Sequence, residues 1–489
     1  MRRLTLAALA VTTALSGCAV GPDFKRPDPR LPAGWSATAG SEAATTGVST
    51  AQPSDEAWWA GFKDAELTSL VDRTFAANLD LKQAALRIAE ARAQRNIAAA
   101  DLLPQVTANA DYTSTLLSET TPTGKVFTSL GTTVKIPGAP SISFPNPYSQ
   151  YQLGFDATWE LDLFGRVRRS VEAAKADEAG VVESARDLKL SVAAEVARSY
   201  FDLRGAQARR AVSVKEIAAV RELLDLARQR RTAGLSSEVD VSNAAAQALT
   251  VESTLPALDA RITQDINALS RLIDREPDAL RAELQADAPL PPAPPEVPIG
   301  LPSDLARRRP DVREAEARLH AATARVGVAV ANLYPRLTVG GPFGFQSASL
   351  NQLAEWRSAF YELGPTLNVP IFQGGKLKAQ VKLQDAQAKE AALAYRSTVL
   401  TAMHDVEGAL SAWSADNTAR RTLEETVARN RDARDLARDR YASGLGSFIE
   451  VLDAERALLQ NELTLAQASQ SSATDLVALY KALGGGWTT

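Results

Sequence analysis

The chain has 489 residues, is 45% hydrophobic and carries a formal net charge of −4 at pH 7. A mildly acidic chain offers no nucleic-acid surface, and two histidines with one cysteine leave little material for a metal centre. The length is enough to bury a core and to form more than one domain.

Export comes first in the sequence. Arg2 and Arg3 open a basic segment, Leu4 to Leu15 form a short apolar run, and Leu15-Ser16-Gly17-Cys18 follows. That is a secretory signal, too short to span a bilayer as a helix. Small residues before Cys18 resemble a bacterial lipobox. Residues 1–17 are thus expected to be removed, and the new N-terminal Cys18 to carry S-diacylglycerol and N-palmitoyl groups. A lone thiol in an otherwise cysteine-free exported chain fits this better than an ordinary signal with an incidental cysteine. Ala19, in place of an aspartate that would favour inner-membrane retention, points to the outer membrane. Residues 18–62 are rich in Pro, Gly, Ala, Ser and Thr and form a tether. Trp35, Trp58, Trp59 and Phe62 are its expected docking points.

From Asp64 an Ala-rich helical pattern runs to Leu103-Pro104. The period then changes to two: Tyr151, Leu153, Phe155, Ala157, Trp159 and Leu161 alternate with polar residues, which predicts a strand over about 151–163. A weaker strand is predicted over about 104–117, with 118–150 as a long polar loop. Residues 166–233 contain no proline. About 68 residues make a helix of about 100 Å, longer than a globular core requires. Leu188, Val192, Val196 and Leu203 form one stripe, and Leu190, Ala194, Ala197 and Phe201 another. Between them lie Glu195, Arg198 and Asp202 on one side and Arg186, Lys189 and Arg204 on the other. Two apolar seams separated by two wet faces suit a helix in the wall of a tube.

After a turn at Gly234 the helical pattern resumes to Arg275, with a kink expected at Pro256. Residues 289–302 hold seven prolines and form an extended linker. The second half then repeats the first, with Asp311 against Asp80 and Pro335 against Pro104 at one offset. Strands are predicted over about 335–348 and 360–371, a long helix over 376–442, a turn at Gly444, and a last helix from Phe448 to Leu483. The repeats are thus 63–288 and 303–489. In each, two shorter helices match one long one in length: roughly 96 Å against about 102 Å, then roughly 100 Å against about 100 Å.

Four amphipathic strands per chain cannot close a barrel, and an open edge in lipid leaves backbone groups unsatisfied. The chain must oligomerise; two copies give about eight strands and a filled barrel, three give about twelve and a lumen.

These features together resemble the outer-membrane efflux lipoproteins of the TolC-like fold, the OprM/NodT type. The carriers are the lipobox with Gly21-Pro22-Asp23-Phe24, Trp58-Trp59 and Leu161-Asp162-Leu163-Phe164-Gly165-Arg166. Further carriers are Leu301-Pro302-Ser303-Asp304-Leu305, Arg309-Pro310-Asp311, the turn from Tyr441 to Asp453, and Leu483-Gly484-Gly485-Gly486-Trp487. The resemblance implies an α+β membrane protein: a homotrimer with a twelve-stranded β-barrel in the outer membrane, continuous with a long periplasmic α-helical barrel and a mixed equatorial domain. It implies an exit channel for drugs or other small molecules, delivered by an inner-membrane RND-type transporter through a periplasmic membrane-fusion adaptor. Protein secretion through the same architecture, or a non-conducting lipid-anchored scaffold, are the alternatives. The tube's periplasmic end would be gated by Ile449 as a hydrophobic constriction, by Glu450 and Asp453 as a carboxylate ring, and by Tyr441. Asp240 and Asn243 occupy the corresponding positions of the first repeat. The turns Gly234, Leu235, Ser236 and Gly444, Leu445, Gly446 would meet the adaptor.

Enzymatic chemistry lacks its parts. Gly374-Gly375-Lys376-Leu377 has neither the glycine spacing nor the hydroxyl of a phosphate loop, there is no Gly-x-Ser-x-Gly elbow, and His320 and His404 stand apart as ordinary helix residues. No cofactor beyond the lipid on Cys18 is expected.

Overall fold

A computed structural model describes residues 19–28, 31–32, 34–36, 48–49, 57–130, 133–134, 138, 142–143, 145–294 and 297–485. The main elements, in order, are helices α1 (Ala65–Ala77) and α2 (Leu79–Ala100), strand β1 (Gln105–Thr115), helix α3 (Pro122–Leu130) and strand β2 (Tyr148–Leu161). They continue with α4 (Arg166–Thr232), α5 (Glu238–Glu252), α6 (Leu255–Leu272), α7 (Pro302–Arg308), α8 (Pro310–Ala331) and β3 (Arg336–Ser347). Strands β4 (Ala359–Tyr361) and β5 (Gly364–Asn368) and helices α9 (Lys376–Ala442) and α10 (Phe448–Ala482) complete the chain. It divides into two compact units, residues 1–25, 91–178 and 319–390 forming one and residues 26–90, 179–318 and 391–489 the other. Each unit draws residues from both of the expected repeats, 63–288 and 303–489.

The first unit contains an antiparallel sheet. β1 pairs β2 from Gln105↔Thr158 to Thr115↔Tyr148, and β2 pairs β3 from Leu161↔Leu337 to Tyr151↔Ser347. β3 then pairs β4 and β5. This register puts Val106, Leu153, Phe155, Trp159, Val339, Phe343 and Leu367 on one face and Asp111, Gln152, Asp156, Glu160, Thr338 and Thr366 on the other, because successive side chains alternate. The apolar face is open: Phe155 is 56% and Leu367 62% exposed. Among the described residues, the outer edges of β1 and of β4–β5 have no partner.

The strand expected over 360–371 is two short ones, interrupted at Glu362-Leu363. Gly341 of β3 has φ +141°, and a Cβ there would meet the Glu362 carbonyl. The Glu362 amide bonds to the Pro342 carbonyl at 2.9 Å, while Pro342 itself has no N–H to return. Pro370 then ends the run. The expected loop 118–150 holds α3, opened by Pro122 at a helix start, and the short paired segments 133–134 and 142–143.

The segment after Cys18 also docks in this unit. The Val20 amide donates to the Phe164 carbonyl at 3.1 Å, Phe24 stacks on His320 at 4.4 Å, and Asp23 pairs with Arg169 at 2.5 Å. His320 further meets Glu172 at 2.9 Å. Burial works against the Glu172 charge, but hydrogen bonds from Arg169 and His320 outweigh it and hold the carboxyl below its ordinary value. His320 is a packing residue.

The second unit is helical around an aromatic core. Trp58, Trp59 and Phe62 are buried in a 3-10 turn; Trp58 stacks on Tyr480 at 5.2 Å and Phe62 meets Phe201 at 4.8 Å. Asp64 caps α1 by accepting from the Leu67 amide at 2.8 Å and also accepts from the Tyr200 hydroxyl at 3.0 Å. Trp35 is buried and its indole N–H donates to the Gly300 carbonyl at 3.1 Å. Val48–Ser49 pairs in parallel with Val297–Pro298 of the proline-rich linker. All four aromatic residues of the tether expected to dock are buried.

α4 departs from expectation on one face. Its two apolar stripes are buried except at half-buried Leu188, and Glu195 and Arg198 are exposed. Arg204, expected wet, is 5% exposed: its guanidinium lies 4.9 Å over the Tyr200 ring and bonds to Gln207 at 2.8 Å. Lys189 lies 4.7 Å over the Phe75 ring. Tyr200 of α4 itself and Phe75 of α1 supply this aromatic cover, while Arg186 and Lys189 stay half-exposed, so only the Arg204 end of the face is interior. Two breaks also replace continuous helices. Asn78 separates α1 from α2, its Oδ1 accepting from the Asp80 amide at 2.9 Å and its Nδ2 donating to the Leu272 carbonyl at 3.0 Å. Pro256 opens α6 instead of kinking one helix.

Candidate functional site

The two glycine turns have the same construction. Gly234 and Gly444 have φ +72° and +77°, the left-handed conformation that glycine adopts without a Cβ penalty. The Leu235 amide donates to the Arg230 carbonyl and the Gly234 amide to Arg231, at 2.8 and 2.9 Å. The Leu445 and Gly444 amides repeat this with Arg440 and Tyr441, at 2.8 and 3.0 Å. This pair of bonds is the Schellman closure, which satisfies the last carbonyls of α4 and α9. Three residues after each glycine a serine caps the next helix, Ser237 accepting from the Asp240 amide at 3.2 Å and Ser447 from the Glu450 amide at 3.3 Å.

The turns are joined by a common core. Leu223, Leu224, Ala227, Val241, Ala244, Tyr441, Phe448, Val451 and Leu452 are buried together, so α4, α5, α9 and α10 end as one packed cluster. Arg230 fastens it. Its Nη1 donates to the Tyr441 and Ala442 carbonyls at 2.6 and 3.2 Å, and its guanidinium lies 4.6 Å over the Tyr441 ring. A cation at a helix C-terminus satisfies orphan carbonyls and faces the negative end of the dipole. The sequence carries a signal for this residue, a basic side chain in the last turn before a capping glycine, but not for the helix it reaches.

The residues expected to gate separate into two groups. Ile449, Glu450 and Asp453 are all exposed, Ile449 by 61%, on the face of α10 opposite buried Val451 and Leu452. Tyr441 is 4% exposed, edge-on to Phe448 at 5.6 Å, with its hydroxyl 3.5 Å from Ser236 Oγ. Within one chain it belongs to the core beneath that face. Asp240 forms a capping box, its Oδ2 accepting from the Ser237 amide at 3.0 Å and the Ser236 hydroxyl at 2.8 Å. Burial disfavours its charge, but these bonds and that from the Ser237 hydroxyl outweigh burial and hold its carboxyl below the ordinary value. Asn243 is half-buried one turn on. Leu235 and Leu445, at the points of the turns, are 67% and 75% exposed. Cys18 lies outside the described residues.

Among the described residues no group of three or more His, Cys, Asp or Glu is arranged to hold a metal ion, and no helix is long and apolar enough to cross a membrane. The arrangement offers an acidic and apolar helix face beside two apolar turn tips, on a four-helix cluster.

A family model described as outer membrane efflux protein matches residues 70–274 and 301–485. The chain is 32% identical to the outer membrane protein OprJ of Pseudomonas aeruginosa over 485 residues, 99% of this chain and 96% of that protein. It is 31% identical to the solvent efflux pump outer membrane protein SrpC of Pseudomonas putida over 478 residues, 97% of this chain and 96% of that protein. Among solved structures, the outer-membrane channel OprN superposes with a TM-score of 0.84 at 32% identity, over 96% of this chain and 100% of that one. The open state of the MtrE channel of Neisseria gonorrhoeae gives 0.79 at 27% identity, over 96% and 98%.

Proposed function

Because the chain belongs to the outer membrane efflux protein family, we propose that it is the outer-membrane exit channel of a tripartite efflux pump, gated at the cluster where α4, α5, α9 and α10 meet. The observation that carries the gate is the exposed face of α10: Ile449, Glu450 and Asp453 stand on a rigid, capped helix start and face no residue of their own core. Three copies would bring three such faces together, an apolar ring of Ile449 beside a carboxylate ring of Asp453 and Glu450 that favours cations. In this reading Asp240 completes the capping box with Ser237, and Tyr441 sets the angle at which α10 leaves the turn.

The homotrimer is supported by the sheet. Its open edges and exposed apolar face suit closure by further copies into a twelve-stranded barrel in lipid. The exposed tips Leu235 and Leu445 suit the periplasmic adaptor, which links the channel to an inner-membrane transporter, here of the RND type. Cys18 would anchor the chain to the outer membrane through its lipid. Export of small molecules is the role, since the relatives are named for efflux pumps; no feature favours protein secretion or a scaffold.

The reading is tested by planar-bilayer recording of the purified protein, together with drug or solvent susceptibility of cells that lack or carry the gene. A protein that forms no pores, or whose loss leaves susceptibility unchanged, would overturn it.

A further inference from the structure

Beyond the turn cluster, the same helices bury charge where hydrocarbon is expected. Glu216 of α4 and Glu455 of α10 are 5% and 0% exposed. From α9, Arg438 Nε lies 2.6 Å from Glu455 Oε1, and Arg434 Nη1 lies 4.0 Å from Glu455 Oε2. Arg438 also donates to the Ala219 carbonyl of α4 at 3.1 Å and lies 3.7 Å from Glu222. One side chain therefore ties α9 to both α4 and α10. Two turns along α10, Glu462 pairs with Arg431 of α9 at 2.5 Å.

The cluster is incompletely satisfied. Glu216 Oε1 and Glu455 Oε2 are buried with no hydrogen-bond partner among the described residues. A buried ionised carboxylate with an unmade bond is costly; a proton removes its charge and gives it a donor. The charged groups acting on Glu216 are Glu455 and Glu462 from α10 and Arg434 and Arg438 from α9. Burial and the Glu455 charge push Glu216 up to about 7, against the pull of Arg438 and Arg434. A proton is the ligand that fits these two unpartnered oxygens.

We propose that Glu216 is a proton site that latches the α9–α10 hairpin onto α4. With the proton bound, Arg438 and Arg434 face the single charge of Glu455, and the three helices hold together. With the proton released to water, two buried carboxylates oppose each other and the hairpin loosens towards its turn. The consequence for conduction rests on the gate reading above, because this hairpin carries Ile449, Glu450 and Asp453; the latch itself does not.

The direction with pH is set by linkage. A carboxyl whose value is raised on folding keeps its proton after the opened state has lost it. The latched hairpin is therefore favoured at low pH and weakens from the ordinary value of 4.5 up to about 7, then levels off. Opening should increase by up to about tenfold per pH unit in that window.

Hydrogen exchange of the full-length protein in detergent micelles tests this, following peptides over Phe448 to Glu462 and correcting for intrinsic exchange. Wild type should show the rise between about pH 5 and pH 7, Glu216→Gln should be flat, and Glu455→Gln, which removes a charge that helps raise Glu216, should show a smaller rise that levels off at a lower pH. A flat wild type, or an equal slope in Glu216→Gln, overturns the latch. If the variants fail to fold, infrared titration of wild type decides: no protonated-carboxyl band titrating near neutrality overturns it. Conductance recorded alongside separates the two readings. Exchange that follows pH while conductance does not keeps the latch and counts against the gate; the converse result removes the latch alone.

Discussion

Arg230, two residues from the end of α4, holds the end of another helix: its Nη1 donates to the Tyr441 carbonyl at 2.6 Å while its guanidinium covers the Tyr441 ring at 4.6 Å. A hydrogen bond to a charged group contributes about 1.5–3 kcal/mol. Arg230→Met should therefore cost about that much in local stability. Hydrogen exchange at the Gly444 turn is the measurement, and unchanged protection there would contradict the fastening role.

Tyr441 and Asp453 should behave oppositely. Tyr441→Phe should leave single-channel conductance unchanged, because its ring sits in the core and its hydroxyl makes only a 3.5 Å contact. Tyr441→Ala should destabilise the cluster by roughly 3–5 kcal/mol, the cost of deleting a buried aromatic side chain, in thermal unfolding.

Asp453→Ala should raise conductance in planar bilayers without a loss of thermal stability, since Asp453 is exposed. An unchanged conductance would remove it from the gate.

Asp240 should matter for stability and not for conduction. Its folded value lies below the ordinary one, so its contribution is present above about pH 4 and is lost as pH falls through the depressed value. Asp240→Ala should cost about 1 kcal/mol at neutral pH and less in acid, with conductance as in wild type. A conductance change as large as that of Asp453→Ala would return Asp240 to the gate.

Cys18→Ala should abolish incorporation of labelled palmitate; continued labelling would refute lipidation at this residue.

The long helices were legible because nothing interrupts them: residues 166–233 were expected against Arg166–Thr232, and 376–442 against Lys376–Ala442. The glycine turns were legible for the same local reason, a left-handed cap followed by a serine and an acid. Cover was not. Periodicity puts Arg204 on a polar stripe, one turn after Tyr200, but does not say that the Ala286 carbonyl lies against it. Tyr441 sits beside a turn and resembles a tip residue by position, yet Arg230 and Phe448 enclose it. The break at Asn78 depends partly on a carbonyl of Leu272, distant in sequence. These are long-range facts, and a local pattern holds no record of them.

The sheet imposes an order of events on the newly made chain. The helical unit can bury Trp58, Phe62 and Phe201 as soon as it collapses. The strands have no such option, since Phe155 and Leu367 find no cover among the described residues. In water, that open-edged apolar sheet is an aggregation hazard. If further copies close the sheet in lipid as proposed, the half-finished chain would need a holding factor until it reaches the bilayer.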